Sequence, residues 1–266
     1  MFKFGLIGNP VAQSKSPYIH QTFLKQIGKE GQYDLFEINE NELIQTIEQM
    51  IKENYDGFNV TVPYKETVIK YLDELDESAK DLHAVNTVKI ENNKLIGYNT
   101  DGNGYVESLK QAYPSFFNNT DKKILIIGAG GAAKGIYFTL QKYRFKQIDV
   151  TNRTIDNAKK MISGFENSHV LPLKKAENVI QRYDLIIQTT SVGMIPNEDE
   201  QIISLDKLSN EAIVSDIIYK PKWTRFLIDA NNKGANLLFG ESMLWYQAKL
   251  AFEIWTNTKV NVKIIE

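Results

Sequence analysis

Two hydrophobic periods alternate along the chain, and the switches between them outline its elements. Phe2–Gly8 is a short apolar run closed by Gly8-Asn9-Pro10, which predicts a first strand ending in a turn. Pro17 suits the first turn of a helix running to about Ile27, and Tyr33–Ile38 reads as a second strand. Asn41–Glu53 carries Leu43, Ile44, Ile47, Met50 and Ile51 at helical spacing, so an amphipathic helix is expected. In Tyr55–Lys65, Phe58, Val60 and Val62 alternate with Asn59, Thr61 and Pro63. That is a strand with one polar face, and it reads equally well as a solvent-facing edge. Helical spacing resumes over Glu66–Leu72, and the acidic run Asp73–Glu77 reads as a solvated face. Ala84–Val88 and Lys94–Tyr98 are short strands with a hairpin turn at Glu91-Asn92-Asn93.

Beyond Asn99-Thr100-Asp101-Gly102 the pattern changes to buried strands alternating with helices. Strands are expected at Lys122–Ile127, Gln147–Thr151, Tyr183–Thr189, Ile213–Ile218 and Asn236–Gly240, with a helix over Leu227–Lys233. The run Ile124–Ile127 is apolar without a break, as in a strand covered on both faces. This alternation predicts a doubly wound, Rossmann-type parallel sheet over residues 102–240, after a boundary near Asp101–Gly104. At the end, Met243, Leu244, Ala248, Ala251, Phe252 and Trp255 form one stripe of a strong helix, with Gln247 inside it.

Composition narrows the class. With 266 residues, 42% hydrophobic and 24% charged, the chain has room for two modest globular domains. Net charge is −2 and the pI about 6.0, which gives no footprint for nucleic acid or an anionic membrane. No cysteine is present, which excludes disulfides and thiolate chemistry, and His20, His83 and His169 are too scattered to suggest a metal site. The N-terminus turns too early for a signal peptide, and no apolar run reaches the ~20 residues of a membrane helix. A soluble, cytoplasmic protein is expected.

The strongest chemical signal is Lys122–Gly135, KKILIIGAGGAAKG. Gly128, Gly130 and Ala133 give G-x-G-x-x-A between a buried strand and a helix, the context in which a pyrophosphate rests on a helix N-terminus. About two dozen residues later a NAD site carries an acid for the ribose 2′-hydroxyl. Here Asn152-Arg153-Thr154 stands there, with no Asp or Glu at 152–155. A guanidinium suits a 2′-phosphate, so NADP is the expected cofactor. Elsewhere, Ser14 and Ser16 flank a helix start that needs only one capping hydroxyl. Asp101 reads as a helix cap or as a functional carboxylate, and Gln247 as a boundary residue or as an amide aimed at a ligand.

Together these stretches resemble the shikimate dehydrogenase family. S-x-S-P-x-x-H appears as Ser14–His20, N-V-T-x-P-x-K as Asn59–Lys65, A-V-N-T as Ala84–Thr87 and G-x-N-T-D-x-x-G as Gly97–Gly104. The glycine loop, N-R-T at 152–154, T-S-x-G-M at Thr190–Met194 and G-x-x-M-L-x-x-Q-A at Gly240–Ala248 follow in order. Three positions depart from the pattern. His83 stands for a usual glycine, Gln21 for asparagine, and Gln188 for a common asparagine.

The resemblance implies reversible, NADPH-dependent reduction of 3-dehydroshikimate to shikimate, a step of aromatic amino-acid and chorismate biosynthesis. It implies an α/β substrate domain of residues 1–101 joined by a returning C-terminal helix, 241–266, and an NADP-binding domain of 102–240. Lys65 and Asp101 would be the catalytic pair. Ser14, Ser16, Asn59, Thr61, Asn86, Tyr219 and Gln247 would bind the substrate. The cofactor would meet Gly128, Ala129, Gly130, Gly131, Ala132, Asn152, Arg153, Thr154, Thr189, Met194, Ile217 and Gly240. No metal, nucleic acid or membrane partner is implied, and the chain would be a monomer or homodimer. Rival readings are a quinate/shikimate dehydrogenase using NAD, a methylene-tetrahydrofolate dehydrogenase, and a non-catalytic NADP-binding regulator. Arg153 argues against the first, and the paired serines with Gln247 against the second. The third gives no reason to keep Lys65 and Asp101 among ring-binding polar groups.

Overall fold

A computed structural model of the chain describes residues 1–264. It divides into two units, Met1–Gly104 with the segment from Trp245 onward, and Tyr105–Leu244. The sequence pattern set these junctions at 101/102 and 240/241. Both lie inside helices, Asp101–Ala112 and Gly240–Thr256, which begin in one unit and end in the other. A change of period marks where a helix starts, so it falls a few residues before the change of unit.

The first unit contains β1 (Phe2–Gly8), α1 (Ser16–Gln26), β2 (Gly31–Glu37), α2 (Leu43–Lys52), β3 (Gly57–Val60), β4 (Glu74–Leu75), α3 (Glu77–Lys80), β5 (Thr87–Glu91), β6 (Lys94–Tyr98) and the start of α4 (Asp101–Ala112). Its sheet runs β2-β1-β3-β5-β6-β4. β1 pairs parallel with β2 and β3, whereas β5 runs antiparallel to β3 and β6. The apolar stripe of α2 supplies Leu43, Ile47 and Met50 to a core with Ile7, Phe58 and Val88. Full burial of such side chains stabilises by about 1.5–3 kcal/mol each.

Two expectations need correcting here. β3 lies at the centre of the sheet, and all four of its residues are buried, so its polar face is not an exposed edge. The acidic run is not simply a solvated face either. Asp73 accepts from the Leu95 N–H at 2.7 Å, Glu74–Leu75 forms β4, and Asp76 caps α3 through the Ser78 N–H at 2.8 Å.

The second unit holds β7 (Lys123–Ile127), α5 (Gly131–Gln141), β8 (Gln147–Thr151), α6 (Ile155–Ile162), β9 (Val170–Leu171), α7 (Leu173–Val179), β10 (Leu185–Gln188), β11 (Ile213–Asp216), α8 (Arg225–Asn232) and β12 (Asn236–Phe239), and then the start of α9 (Gly240–Thr256). Its six strands run β12-β11-β10-β7-β8-β9, and every pair is parallel. Chain order grows outward from β7 in one direction and then, from β10, in the other, the doubly wound topology with its switch point between β7 and β10. Ile124 and Ile126 face one core and Leu125 and Ile127 another, so β7 is apolar without interruption.

From Trp245 on, α9 belongs to the first unit. Trp255 stacks on Phe4 at 4.6 Å between ring centroids and donates its indole N–H to the Val88 carbonyl at 2.9 Å. Among the described residues no helix is long and apolar enough to cross a membrane.

Candidate active site

In the first unit, side chains that are remote in sequence meet in a hydrogen-bonded series. Ser14 Oγ donates to Ser16 Oγ at 3.1 Å, and the Ser16 side chain neighbours the Tyr33 hydroxyl. Tyr33 Oη donates to Asn59 Oδ1 at 2.8 Å. Asn59 Nδ2 donates to the Asn86 carbonyl and to Thr87 Oγ1, both at 3.0 Å. Thr87 Oγ1 donates to Asn86 Oδ1 at 2.9 Å, and Asn86 Nδ2 donates to Asp101 Oδ1 at 2.8 Å. The chain ends where Lys65 Nζ meets Asp101 Oδ2 at 2.7 Å.

Strand register explains much of this. Asn59 on β3 sits opposite Thr87 on β5, so a polar residue in the middle of a buried sheet finds its partner directly across the pair. Asn59, Asn86, Thr87 and Asp101 are all buried, and each needs such partners. An amide has two donor hydrogens. Those of Asn59 go to Asn86 and Thr87, and those of Asn86 go to Asp101 and to Thr100 Oγ1 at 3.0 Å.

Asp101 does not serve as a helix cap. It is the first residue of α4, and its carboxylate accepts from side chains 15 and 36 residues away. The turn ahead of α4 is held instead by Asn99 Oδ1, which accepts the Asp101 N–H at 3.1 Å. The serine pair is not a conventional cap either. Lys15 is the N-cap of α1, and Ser14 Oγ accepts the Ser16 N–H at 3.2 Å. The Lys65 side chain remains 24% exposed, whereas Asp101 is nearly covered, so the cation has the open side of the pair.

Thr61 follows β3 directly and is half-exposed. Gln247, half-buried on α9, has its backbone against Gly104, where an added Cβ would come within 2.5 Å of its nitrogen. That approach requires glycine at 104. Tyr219 belongs to the second unit, beyond β11. Tyr33 and Thr87 were not singled out from sequence as site residues. The adjacent polar pair Asn86-Thr87 within an otherwise apolar stretch is the signal that could have flagged Thr87. A tyrosine in a strand carries none.

The proposed cofactor residues of the second unit gather at the carboxyl ends of its strands: 128–132 after β7, 152–154 after β8, Thr189 and Met194 after β10, and Ile217 after β11. Gly240 opens α9 after β12. Gly128 has φ +118°, and a side chain there would collide with Thr189 Oγ1. A Cβ at Gly130 or Gly131 would meet nothing within 4 Å, so the backbone borders open space. Gly130 is the N-cap of α5 and no side chain caps the helix, which leaves its first-turn N–H groups for an anion. These features fit a dinucleotide pyrophosphate. Arg153 is exposed beside the loop that Asn152 Nδ2 ties to the Thr154 carbonyl at 2.8 Å. Asp149 cannot take the ribose role, because Tyr183 Oη at 2.6 Å, Gln147 Nε2 at 2.6 Å and the His169 N–H at 3.0 Å engage its carboxylate inside the unit.

The departures from the family pattern are also accounted for. His83 has φ +50°, the left-handed region where glycine is at ease. Gln188 Nε2 donates to the Thr190 and Val192 carbonyls at 3.1 and 3.2 Å, which ties down the segment that leads to Met194. Gln21 is exposed on α1.

A first unit that buries polar side chains ending in a lysine–aspartate pair, and a second with an open glycine loop on a doubly wound sheet, define a dinucleotide-dependent oxidoreductase. Family models match in series: the shikimate dehydrogenase substrate-binding domain over residues 6–88, shikimate/quinate 5-dehydrogenase over 110–219, and the shikimate 5′-dehydrogenase C-terminal domain over 240–266. The NADP(+) shikimate dehydrogenase of Oceanobacillus iheyensis is 45% identical over 97% of this chain and 93% of its own length. A crystal structure of a shikimate dehydrogenase in complex with NADP+ superposes with TM-score 0.90 at 38% identity, covering 98% of this chain and 92% of that one. The Thermus thermophilus enzyme in complex with NADP(H) and shikimate gives TM-score 0.88 at 31% identity, covering 98% and 95%. The chain belongs to the shikimate dehydrogenase family.

Proposed function

We propose that the protein catalyses the reversible, NADPH-dependent reduction of 3-dehydroshikimate to shikimate in aromatic amino-acid biosynthesis. The observation that carries this reading is the Lys65–Asp101 pair at 2.7 Å, held at the end of a buried polar chain. When bound, NADPH supplies the hydride to the ring carbonyl carbon. Negative charge then gathers on the carbonyl oxygen and calls for a donor aimed at it. Lys65 has three ammonium hydrogens and Asp101 engages one, so Lys65 delivers a proton to that oxygen as the alcohol forms. Asp101, held through its other oxygen by Asn86, keeps Lys65 in position and stabilises its charge. The exposed side of Lys65 lets water return the proton.

Ser14 and Ser16 bind the substrate carboxylate, and Thr61 and Gln247 bind ring hydroxyls. Asn59 and Asn86, whose donors are committed within the unit, shape the floor of the site. On the cofactor side, the first turn of α5 takes the pyrophosphate and Asn152-Arg153-Thr154 the 2′-phosphate. Because the reaction draws on a soluble reductant, we take it to be cytoplasmic. The test is oxidation of shikimate with NADP+ or NAD+, followed at the nicotinamide absorbance. Turnover with NADP+ is expected, and no turnover with either cofactor would overturn the reading.

A further inference from the structure

We propose that Tyr33 is a positioning residue of the substrate site, joining the serine pair at one end to the Lys65–Asp101 pair at the other. The inference rests on the function proposed above. From Tyr33 onward the donor-to-acceptor direction is uniform. Tyr33 donates to Asn59, Asn59 to Thr87, Thr87 to Asn86, and Asn86 to the Asp101 carboxylate, while Ser14 donates to Ser16, whose side chain neighbours the Tyr33 hydroxyl. Each donor is polarised by the next acceptor, so the series strengthens toward the carboxylate.

Tyr33 is the only aromatic link in that series and the only one contributed by β2. The Asn86 carbonyl, which can only accept, turns the Asn59 Nδ2 toward Asn86 and Thr87, and the Tyr33 hydroxyl supplies the donor that the opposite atom, Oδ1, then needs. The ring is itself fixed. It stacks on the fully buried His20 imidazole at 4.6 Å and 13°. His20 lies in the same Ser14–His20 stretch as the two serines, so one segment supplies both the hydroxyls and the surface that orients the tyrosine. Burial also pushes the Tyr33 phenol above its ordinary pKa, which keeps it a donor at working pH. A substrate carboxylate that draws on the Ser14 and Ser16 hydroxyls competes with this chain at its head, and Tyr33 is where that competition reaches Asn59.

The experiment uses the full-length enzyme and its Tyr33→Phe variant, which keeps the stacked ring and removes only the hydroxyl. Measured are kcat and KM for shikimate, for its methyl ester and for NADP+. Loss of the link is expected to lower kcat/KM for shikimate roughly tenfold, the scale of one or two buried hydrogen bonds, with KM for NADP+ within about twofold. The preference for shikimate over the ester is expected to shrink as well. That ratio is independent of how much enzyme is active, so a merely structural role would leave it unchanged. Should Tyr33→Phe not fold, the isosteric Thr87→Val breaks the same chain beyond Asn59 and is expected to give the same shikimate-specific loss. A folded Tyr33→Phe with an unchanged preference overturns the proposal, and so, in its absence, does Thr87→Val with unchanged kcat/KM for shikimate. Failure of the unmodified enzyme to turn over shikimate would instead strike the proposed function.

Discussion

The two units present their functional residues in opposite ways. In the first, Asn59, Asn86, Thr87 and Asp101 are buried and hydrogen-bonded to one another, so the site is built before any ligand arrives. In the second, the corresponding groups are backbone N–H donors over open space at Gly130–Gly131 and exposed side chains such as Arg153 and Met194. A ring bearing several hydroxyls must have each of them satisfied once it is covered, and that requires donors and acceptors fixed in advance. A pyrophosphate needs only a helix dipole and free N–H groups. Changes in the first unit should therefore disturb chemistry and packing together, whereas changes at the cofactor loops should touch affinity alone.

The largest expected contrast is in pH dependence. Burial pushes the His20 imidazole in the first unit down to about 3 and the Asp216 carboxyl in the second up to about 6. His20 is neutral when folded and gains a proton readily when unfolded, so its contribution holds above pH 6.5 and is lost as pH falls toward 3. Asp216 behaves oppositely. Its protonated form is favoured in the fold, so stability is gained as pH falls through 6 toward 4. Between pH 7 and 4 each group is worth about 3 kcal/mol, with opposite sign. Hydrogen exchange at pH 7 and 4 should show α1 and β1 losing protection relative to β10 and β11. His20→Phe should remove the first trend and Asp216→Asn the second. Parallel trends in both units would break the contrast.

Next comes the chemical step. Lys65→Met is expected to lower kcat about a hundredfold or more, with a smaller change in KM, because the contact it loses matures in the transition state. Asp101→Asn should be similarly slow, since an amide holds Lys65 without balancing its charge. The double variant should be little worse than either single one. Near-normal kcat in both single variants would reduce the pair to a structural ion pair and leave the cofactor loops untouched.

The sequence was most informative where local pattern decides structure. The unbroken apolar run ahead of Gly128 and the spacing of Leu43, Ile47 and Met50 are each consequences of a period, and β7 and α2 formed where that period predicts them. It was least informative where partners are distant. Alternation in Phe58–Val62 exposed a polar face but not whether it met water, because Asn59's partners lie 26 to 28 residues away. Asp101 looked like a cap for the same reason, since the lysine that engages it is 36 residues off. The acidic run misled because Asp73 accepts from the backbone of β6 and Asp76 from that of α3, which composition does not reveal.

A smaller effect is expected at the open end of the comparison. Arg153→Ala should lower kcat/KM for NADP+ about tenfold, roughly 1.4 kcal/mol, and leave NAD+ nearly unchanged. Thermal stability should hold, because the side chain is exposed and packs no core. Equal use of NADP+ and NAD+ by the unmodified enzyme would remove the assignment of 152–154 to the 2′-phosphate.

The smallest effect is expected at Gln247, which belongs to the prebuilt unit but is only half-buried. Its backbone is set by contact with Gly104, so truncating the side chain leaves α9 where it is. The neighbouring Ala248, Ala251 and Phe252 are buried and keep the helix seated. On the function proposed above, Gln247→Ala removes an amide contact to a ring hydroxyl, and water can reach a half-exposed position to replace part of it. A three- to fivefold rise in KM for shikimate is the scale of one hydrogen bond so compensated, with kcat and KM for NADP+ little changed. The opposite split, a lowered melting temperature with KM for shikimate unaltered, would make Gln247 a packing residue and confine hydroxyl recognition in the first unit to the residues around β1, β3 and β5.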